Sequence, residues 1–305
     1  MDLNYFKKTR ILDGGMGQEL LAKGLISKGT LWSTSAILDE KFHQLLIDVH
    51  TSFINAGANV IVTNNFSSRK VRLIQNKVED KFEYVNKKAC ELANKARQIS
   101  KKNILIAGSL PPQNGTYVVD EREINIIKKD FKEQAEIIKP YVDFFYLDVI
   151  SSAKEVEAAC EVTEKMNMPV LVGLHLKKNG KIASGETVTE IVKKYKTSNW
   201  IGLIGACVSL EIIENSSKEM SDLDIPFGFK ANLWNVEEPL PLHKFNRSKF
   251  NEVGKNPNDT MGRRDEITGE IFYNFAKRIK EKGANILGGC CNINPEHIKS
   301  ISSLK

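Results

Sequence analysis

The stretch Ala284-Asn285-Ile286-Leu287-Gly288-Gly289-Cys290-Cys291-Asn292-Ile293-Asn294-Pro295 decides how the rest of the chain is read. An apolar run ending at Leu287 reads as a short strand, two glycines stop it, and two adjacent cysteines follow at the turn. A helix starts at once, with Asn294 as N-cap, Pro295 at the first helical position and Glu296 in the first turn. Thiols at a strand exit, beside glycines that leave room around them, suit a soft metal better than a structural disulfide in a chain with no export signal.

Upstream, the same strand-then-helix grammar repeats seven times. Short apolar strands are expected at 10–13, 59–63, 104–109, 143–148, 170–174, 201–207 and 227–232, and the opening stretch is the eighth. Between them the apolar spacing predicts helices over about 16–23, 34–56, 69–100, 121–138, 153–166, 187–195, 210–219 and 265–282. In the second of these Ile37, Phe42, Leu45, Leu46, Val49 and Phe53 share one face, and Gly57 caps the end. Eight strands alternating with helices predict an α/β chain folded as a single (β/α)8 TIM barrel, one domain over 1–305. An open doubly wound sheet competes, but no Gly-rich phosphate turn follows the first strand. The polar segment 233–261 after strand seven has no period and is too long for an ordinary connection, so it reads as a lid or an oligomer contact.

Composition narrows the partners. The chain has 305 residues, 41% hydrophobic, enough for one large core. Its net charge of +6 is spread as mixed lysines and acids with no block of five like charges, so no nucleic-acid footprint is expected. No apolar run nears the ~18 residues of a membrane span. The N-terminus lacks the apolar core of a signal peptide. The expectation is a cytoplasmic protein with its five cysteines reduced, small molecules as partners, and a homo-oligomer left open.

In a barrel of this kind functional side chains sit where strands end. Those ends carry Asp13, Thr63-Asn64, Ser109, Asp148, His175, Cys207, Asn232 and Cys290-Cys291, whereas Cys90 and Cys160 fall inside helices and read as small core residues. Strands six and eight flank strand seven, so Cys207 can meet Cys290 and Cys291. Three thiolates with one exchangeable position is the layout of a catalytic zinc site, and Asn232 on the strand between is a candidate displaceable oxygen ligand. Core packing or a redox-active vicinal pair are the other readings of these cysteines.

Four pieces, in order along the chain, resemble the homocysteine S-methyltransferase family, which includes the betaine–homocysteine enzymes. They are Leu12-Asp13-Gly14-Gly15-Met16-Gly17-Gln18-Glu19-Leu20, the run from Ala56 to Phe66, Ala107-Gly108-Ser109-Leu110-Pro111-Pro112, and Ile286 to Cys291 continuing through Pro295-Glu296-His297-Ile298. The resemblance implies a Zn2+-dependent barrel that methylates L-homocysteine to methionine. The family's zinc cysteines fall on Cys207, Cys290 and Cys291, and its strand-seven oxygen ligand on Asn232. Its homocysteine contacts fall on Asp13, the Gly14-Gly15-Met16 backbone and Asp148, with Thr63 grouped beside them. Three departures stand out: Gly205-Ala206-Cys207 replaces the usual Gly-x-Asn-Cys, Asp148 replaces a glutamate, and Ser67 stands where the animal betaine enzymes have a tyrosine.

The chemistry agrees. A free thiol of pKa ~8.5 is a poor nucleophile at neutral pH, and zinc held by thiolates keeps it deprotonated yet reactive. Asp13 and Asp148 would hold the amino group, and N–H groups at 14–16 the carboxylate. By the resemblance, Trp32 matches the tryptophan near the donor in the betaine enzymes; Tyr117 and Trp234 lie in the exit loops of strands three and seven, and the three could wrap an onium methyl donor, betaine first, with S-methylmethionine, S-adenosylmethionine or dimethylsulfoniopropionate as alternatives. His175 is a further candidate for that pocket. A thiol-redox barrel and a metal-binding barrel without turnover are the competing classes.

Overall fold

The structure, a computed structural model, describes residues 3–305; Met1 and Asp2 of the expected 1–305 domain lie outside the described residues. Eight strands form: β1 Arg10–Ile11, β2 Val60–Val62, β3 Leu105–Leu110, β4 Phe144–Ile150, β5 Val170–Leu174, β6 Trp200–Val208, β7 Phe227–Ala231 and β8 Ile286–Gly289. They pair in parallel in the order β1-β8-β7-β6-β5-β4-β3-β2, and a parallel bridge between Leu12 and Val60 closes the ring. The fold is a single (β/α)8 barrel, as the strand count implied.

The strands are continuous apolar runs because both faces are covered. Alternate residues point inward: Leu12, Val60, Val62, Ala107, Phe144, Leu171, Ile204 and Ile286 fill the barrel. Their neighbours Ile11, Ile61, Ile106, Phe145, Val172, Leu203, Phe229 and Leu287 pack against the helices. A Cβ on Gly228 would lie 1.7 Å from the Ile286 carbonyl oxygen, so only glycine lets β7 approach β8 this closely. The turn Tyr5–Lys7 sets Phe6 edge-on to Phe144 at 5.9 Å, closing the floor where β4 begins.

Two expected helices are broken. The run 34–56 divides at Asp39, which is extended and accepts from the Lys41 N–H, so the continuous helix there is His43–Ala56, capped by left-handed Gly57. The run 69–100 divides into Lys70–Gln75 and Phe82–Ser100, with left-handed Lys77 between them. Segment 233–261 is mostly loop with two four-residue helices, Leu242–Phe245 and Asn258–Met261. It is pinned to the loop before Trp32: Gly29 N–H donates to Glu252 O at 2.9 Å, and Asn246 Nδ2 donates to Gly29 O at 3.1 Å. It therefore walls the C-terminal mouth of the barrel. Among the described residues no helix is long and apolar enough to cross a membrane.

Two irregularities aim side chains into that mouth. Register shifts interrupt β4 between Leu147 and Ile150, and β6 between Ala206 and Val208. Val149 and Cys207 sit in these bulges at φ 69° and 54°.

Candidate active site

The three thiols converge. Cys207 Sγ lies 3.8 Å from Cys291 Sγ, Cys290 Sγ lies 3.9 Å from Cys291 Sγ, and all three fall within 4.8 Å of one another. A disulfide needs about 2.05 Å. Sulfurs about 2.3 Å from a tetrahedral zinc sit roughly 3.8 Å apart, so the two spacings to Cys291 match those of such a site. The change at Ala206 does not displace the first cysteine: the bulge and the positive φ turn Cys207 inward. Just after β8, Cys290 N–H donates to Ala231 O at 2.6 Å, and the turn is locked by Ile293 N–H donating to Cys290 O at 3.1 Å.

The trio titrates as one unit. Hydrogen bonds from Cys290 and Cys291 hold the Cys207 thiol well below its ordinary value despite burial, and the thiolate so formed pushes both partners well above theirs. Tyr117 adds a further donor, its hydroxyl 3.3 Å from Cys207 Sγ. Burial, and then the nearby thiolates, push that phenol well above the usual range, so it stays protonated and donates. His175 stands behind it, its ring 4.5 Å from Tyr117 and its Nδ1 3.2 Å from Ala206 O, kept neutral by burial.

Asn232 takes a different posture from that of an oxygen ligand. Its Oδ1 accepts from Trp234 N–H at 3.1 Å, while Nδ2 donates to Cys207 O at 2.6 Å and faces Cys207 Sγ at 3.9 Å. Ligation through oxygen requires the amide to turn over.

The polar wall contains a residue that sequence reasoning missed. Lys230, on β7, is 4% exposed and reaches past β8 to Asp13 at the end of β1, its Nζ 2.5 Å from Oδ1 and 3.2 Å from the main-chain oxygen. Asp13 Oδ2 accepts from Val62 N–H at 2.7 Å, so both carboxylate oxygens are engaged. Burial raises Asp13 above the ordinary carboxylate range while Lys230 pulls it back. A lysine inside an apolar strand was the available signal, since a buried charge needs a partner. Two of the three N–H groups expected to be free at the glycine turn are also engaged: Gly15 N–H donates to Ile293 O at 2.7 Å and Met16 N–H to Gly14 O at 3.1 Å. Asp148 accepts from Ser109 Oγ at 2.8 Å, and burial pushes it up to about 7 against the pull of Lys230. Thr63 is spent on its own loop, donating to Asn65 Oδ1 at 2.6 Å and accepting from Ser109 N–H at 3.0 Å.

These groups share one cavity of about 130 Å³ at the barrel mouth, whose walls include Asp13, Asp148, Lys230, the three thiols, Trp32, Tyr117 and Trp234. Leu240, Phe245 and Met261 of segment 233–261 complete it. Of the eight non-glycine residues with positive φ among the described residues, Trp32, Tyr117, Val149 and Cys207 line this cavity and Asn292 follows Cys291. Backbone strain of roughly 1–3 kcal/mol per residue concentrates where a site is built.

Residues 10–304 match the family model described as homocysteine S-methyltransferase. The chain belongs to the homocysteine S-methyltransferase family. It is 28% identical over 297 residues to the S-methylmethionine–homocysteine S-methyltransferase of Pongo abelii, covering 95% of this chain and 76% of that one. It is 26% identical over 301 residues to betaine–homocysteine S-methyltransferase 1 of Bos taurus, with 95% and 70% covered. Homocysteine S-methyltransferase 1 of Arabidopsis thaliana is 24% identical, with 96% and 92% covered. In fold it is similar to the metallated form of the homocysteine methyltransferase MmuM of Escherichia coli, with a TM-score of 0.78, 18% identity, and 98% and 96% covered. This family member is therefore a homocysteine S-methyltransferase, with a three-cysteine cluster able to hold a metal.

Proposed function

We propose that the protein transfers a methyl group from a small onium donor, betaine first, to the thiol of L-homocysteine, using a zinc ion held by Cys207, Cys290 and Cys291. The observation that carries this is the sulfur triangle, with spacings of 3.8 and 3.9 Å, opening into an aromatic-walled cavity. Zinc, when bound there, keeps the acceptor sulfur deprotonated near neutral pH.

The remaining work belongs to the chain's own residues. Tyr117 donates to the Cys207 sulfur and steadies the cluster. Asp148, in its ionised form, receives the acceptor's ammonium. Trp32, Trp234 and the Tyr117 ring present π faces to the onium, each good contact contributing about 0.5–2 kcal/mol. Segment 233–261 excludes water, which strengthens those contacts. The S–CH3 bond forms as the N–CH3 bond breaks, and the amine leaves neutral with its electron pair, so no general acid is needed and alignment dominates.

A sulfonium donor is the second reading, favoured by the similarity to an enzyme named for S-methylmethionine. The test is methionine formation by the reduced, zinc-loaded protein with homocysteine and, in parallel, betaine, S-methylmethionine, S-adenosylmethionine and dimethylsulfoniopropionate. Turnover with betaine alone supports the first reading; turnover only with a sulfonium selects the second. Turnover with none overturns both.

A further inference from the structure

We propose that Lys230 is the specificity-determining residue for the acceptor: it receives the carboxylate of the incoming thiol, Asp13 serves as its counter-ion, and the acceptor's amino group is secondary. The proposal rests on the methyltransferase reading of the cavity.

Three observations lead to it. First, both oxygens of Asp13 are already engaged within the protein. Its Oδ1 is 2.5 Å from Lys230 Nζ and its Oδ2 is 2.7 Å from Val62 N. An ammonium brought to Asp13 would also meet the like charge of Lys230 inside a buried wall, where screening is weak. Second, two of the three N–H groups of the glycine turn, those of Gly15 and Met16, donate within the protein, which leaves it a poor anion cradle. Third, Lys230 carries three N–H donors, and its two hydrogen bonds both go to Asp13. The remaining donor sits on a residue that lines the cavity with Cys290, Cys291 and Asp148.

The position along β7 fits a short amino acid or a short mercapto acid. The residue after Lys230 accepts the Cys290 N–H, so the carboxylate end and the sulfur end of the acceptor are held by adjacent parts of one β7–β8 pair. Asp13 holds Lys230 extended along the wall of the cavity. A carboxylate then completes a three-group array of two acids around one ammonium, with every charge hydrogen-bonded.

Binding of three thiols to the zinc-loaded protein by calorimetry tests this without a methyl donor: L-homocysteine, 4-mercaptobutanoate, which lacks the amine, and 3-mercaptopropan-1-amine, which lacks the carboxylate. The expected result is that 4-mercaptobutanoate binds within about 10-fold of homocysteine, while 3-mercaptopropan-1-amine binds about 100-fold more weakly, the loss of a charge-assisted hydrogen bond. In the double variant Lys230→Met/Asp13→Asn, which leaves no lone buried carboxylate, homocysteine should weaken about 100-fold. Its preference over 3-mercaptopropan-1-amine should vanish, with zinc content unchanged. If that variant fails to fold, the wild-type series still decides. Tight binding of the amine with loss of the mercapto acid overturns the proposal, as does a double variant that keeps the carboxylate preference. Homocysteine binding with the expected pattern but no methyl transfer from any donor would refute the functional reading and leave the assignment of Lys230 standing. Failure of all three thiols to bind overturns both.

Discussion

Replacing Gly15 by alanine probes the coupling between the first strand and the sulfur cluster. Gly15 has φ −79°, an ordinary value for any residue, so the substitution adds a methyl group without backbone strain. That methyl carbon would lie 2.6 Å from the Cys290 carbonyl oxygen and 3.1 Å from Asn292 N. Even weak C–H···O contacts sit at about 3.3–3.6 Å, so the turn at 290–292 must yield by roughly 0.7 Å. The atoms in the way are main chain, held by the Cys290 N–H to Ala231 O bond at 2.6 Å, and no rotamer change relieves the clash. Overpacking of this kind costs about 1–3 kcal/mol. Because metal sites tolerate only about 0.2 Å in ligand distance, displacement of Cys290 should weaken zinc binding by about 10–100-fold. The assay is zinc retention against a competing chelator, with thermal unfolding measured in parallel. A drop in melting temperature with unchanged zinc affinity would show that the strain is absorbed elsewhere and refute the coupling.

Other perturbations separate the parts of the site. Gly17→Ala drives a Cβ to 2.2 Å from the Trp32 ring, so it should raise the donor KM and spare zinc content; Trp32→Ala should raise the donor KM by up to about 30-fold with less effect on homocysteine, as steady-state kinetics would show. Cys290→Ala should remove most zinc and all methyl transfer, measured by metal analysis and methionine formation. Tyr117→Phe keeps the ring and drops the hydroxyl, so zinc affinity should fall about 10-fold while the donor KM holds. Asp148, raised to about 7, is ionised above that pH and protonated below it. The affinity ratio of homocysteine to 4-mercaptobutanoate should therefore rise as pH climbs from 6 to 8, and Asp148→Asn should flatten it.

Much of the barrel was legible because its signals are local. Each strand is a short apolar run, Gly57 stops its helix with a left-handed turn, and Asn294-Pro295 starts another; each feature needs only its neighbours in sequence. The helix breaks were not legible, because apolar spacing runs on through Asp39 and Lys77. The second break is fixed by distant contacts: Asn76 Nδ2 donates to Thr30 Oγ1 at 2.7 Å, across 46 positions. The same limit applies to the site. Glycines, cysteines and aromatic residues announced themselves by type and position at strand ends. The Asp13–Lys230 pair spans 217 positions and the Tyr117–Cys207 contact spans 90, and both exist only because the closed ring brings strands distant in sequence together. The closed ring also engages one of the N–H groups that a glycine turn suggests are free: Gly15 packs on the 290–293 turn and gives its N–H to Ile293.

Zinc K-edge X-ray absorption on the reduced protein, before and after L-homocysteine, tests the central claim most directly. Three sulfur ligands at about 2.3 Å alone, and four once homocysteine is added, are what the sulfur triangle predicts. Fewer than three sulfurs in the free protein, or a coordination shell that homocysteine leaves unchanged, would contradict it.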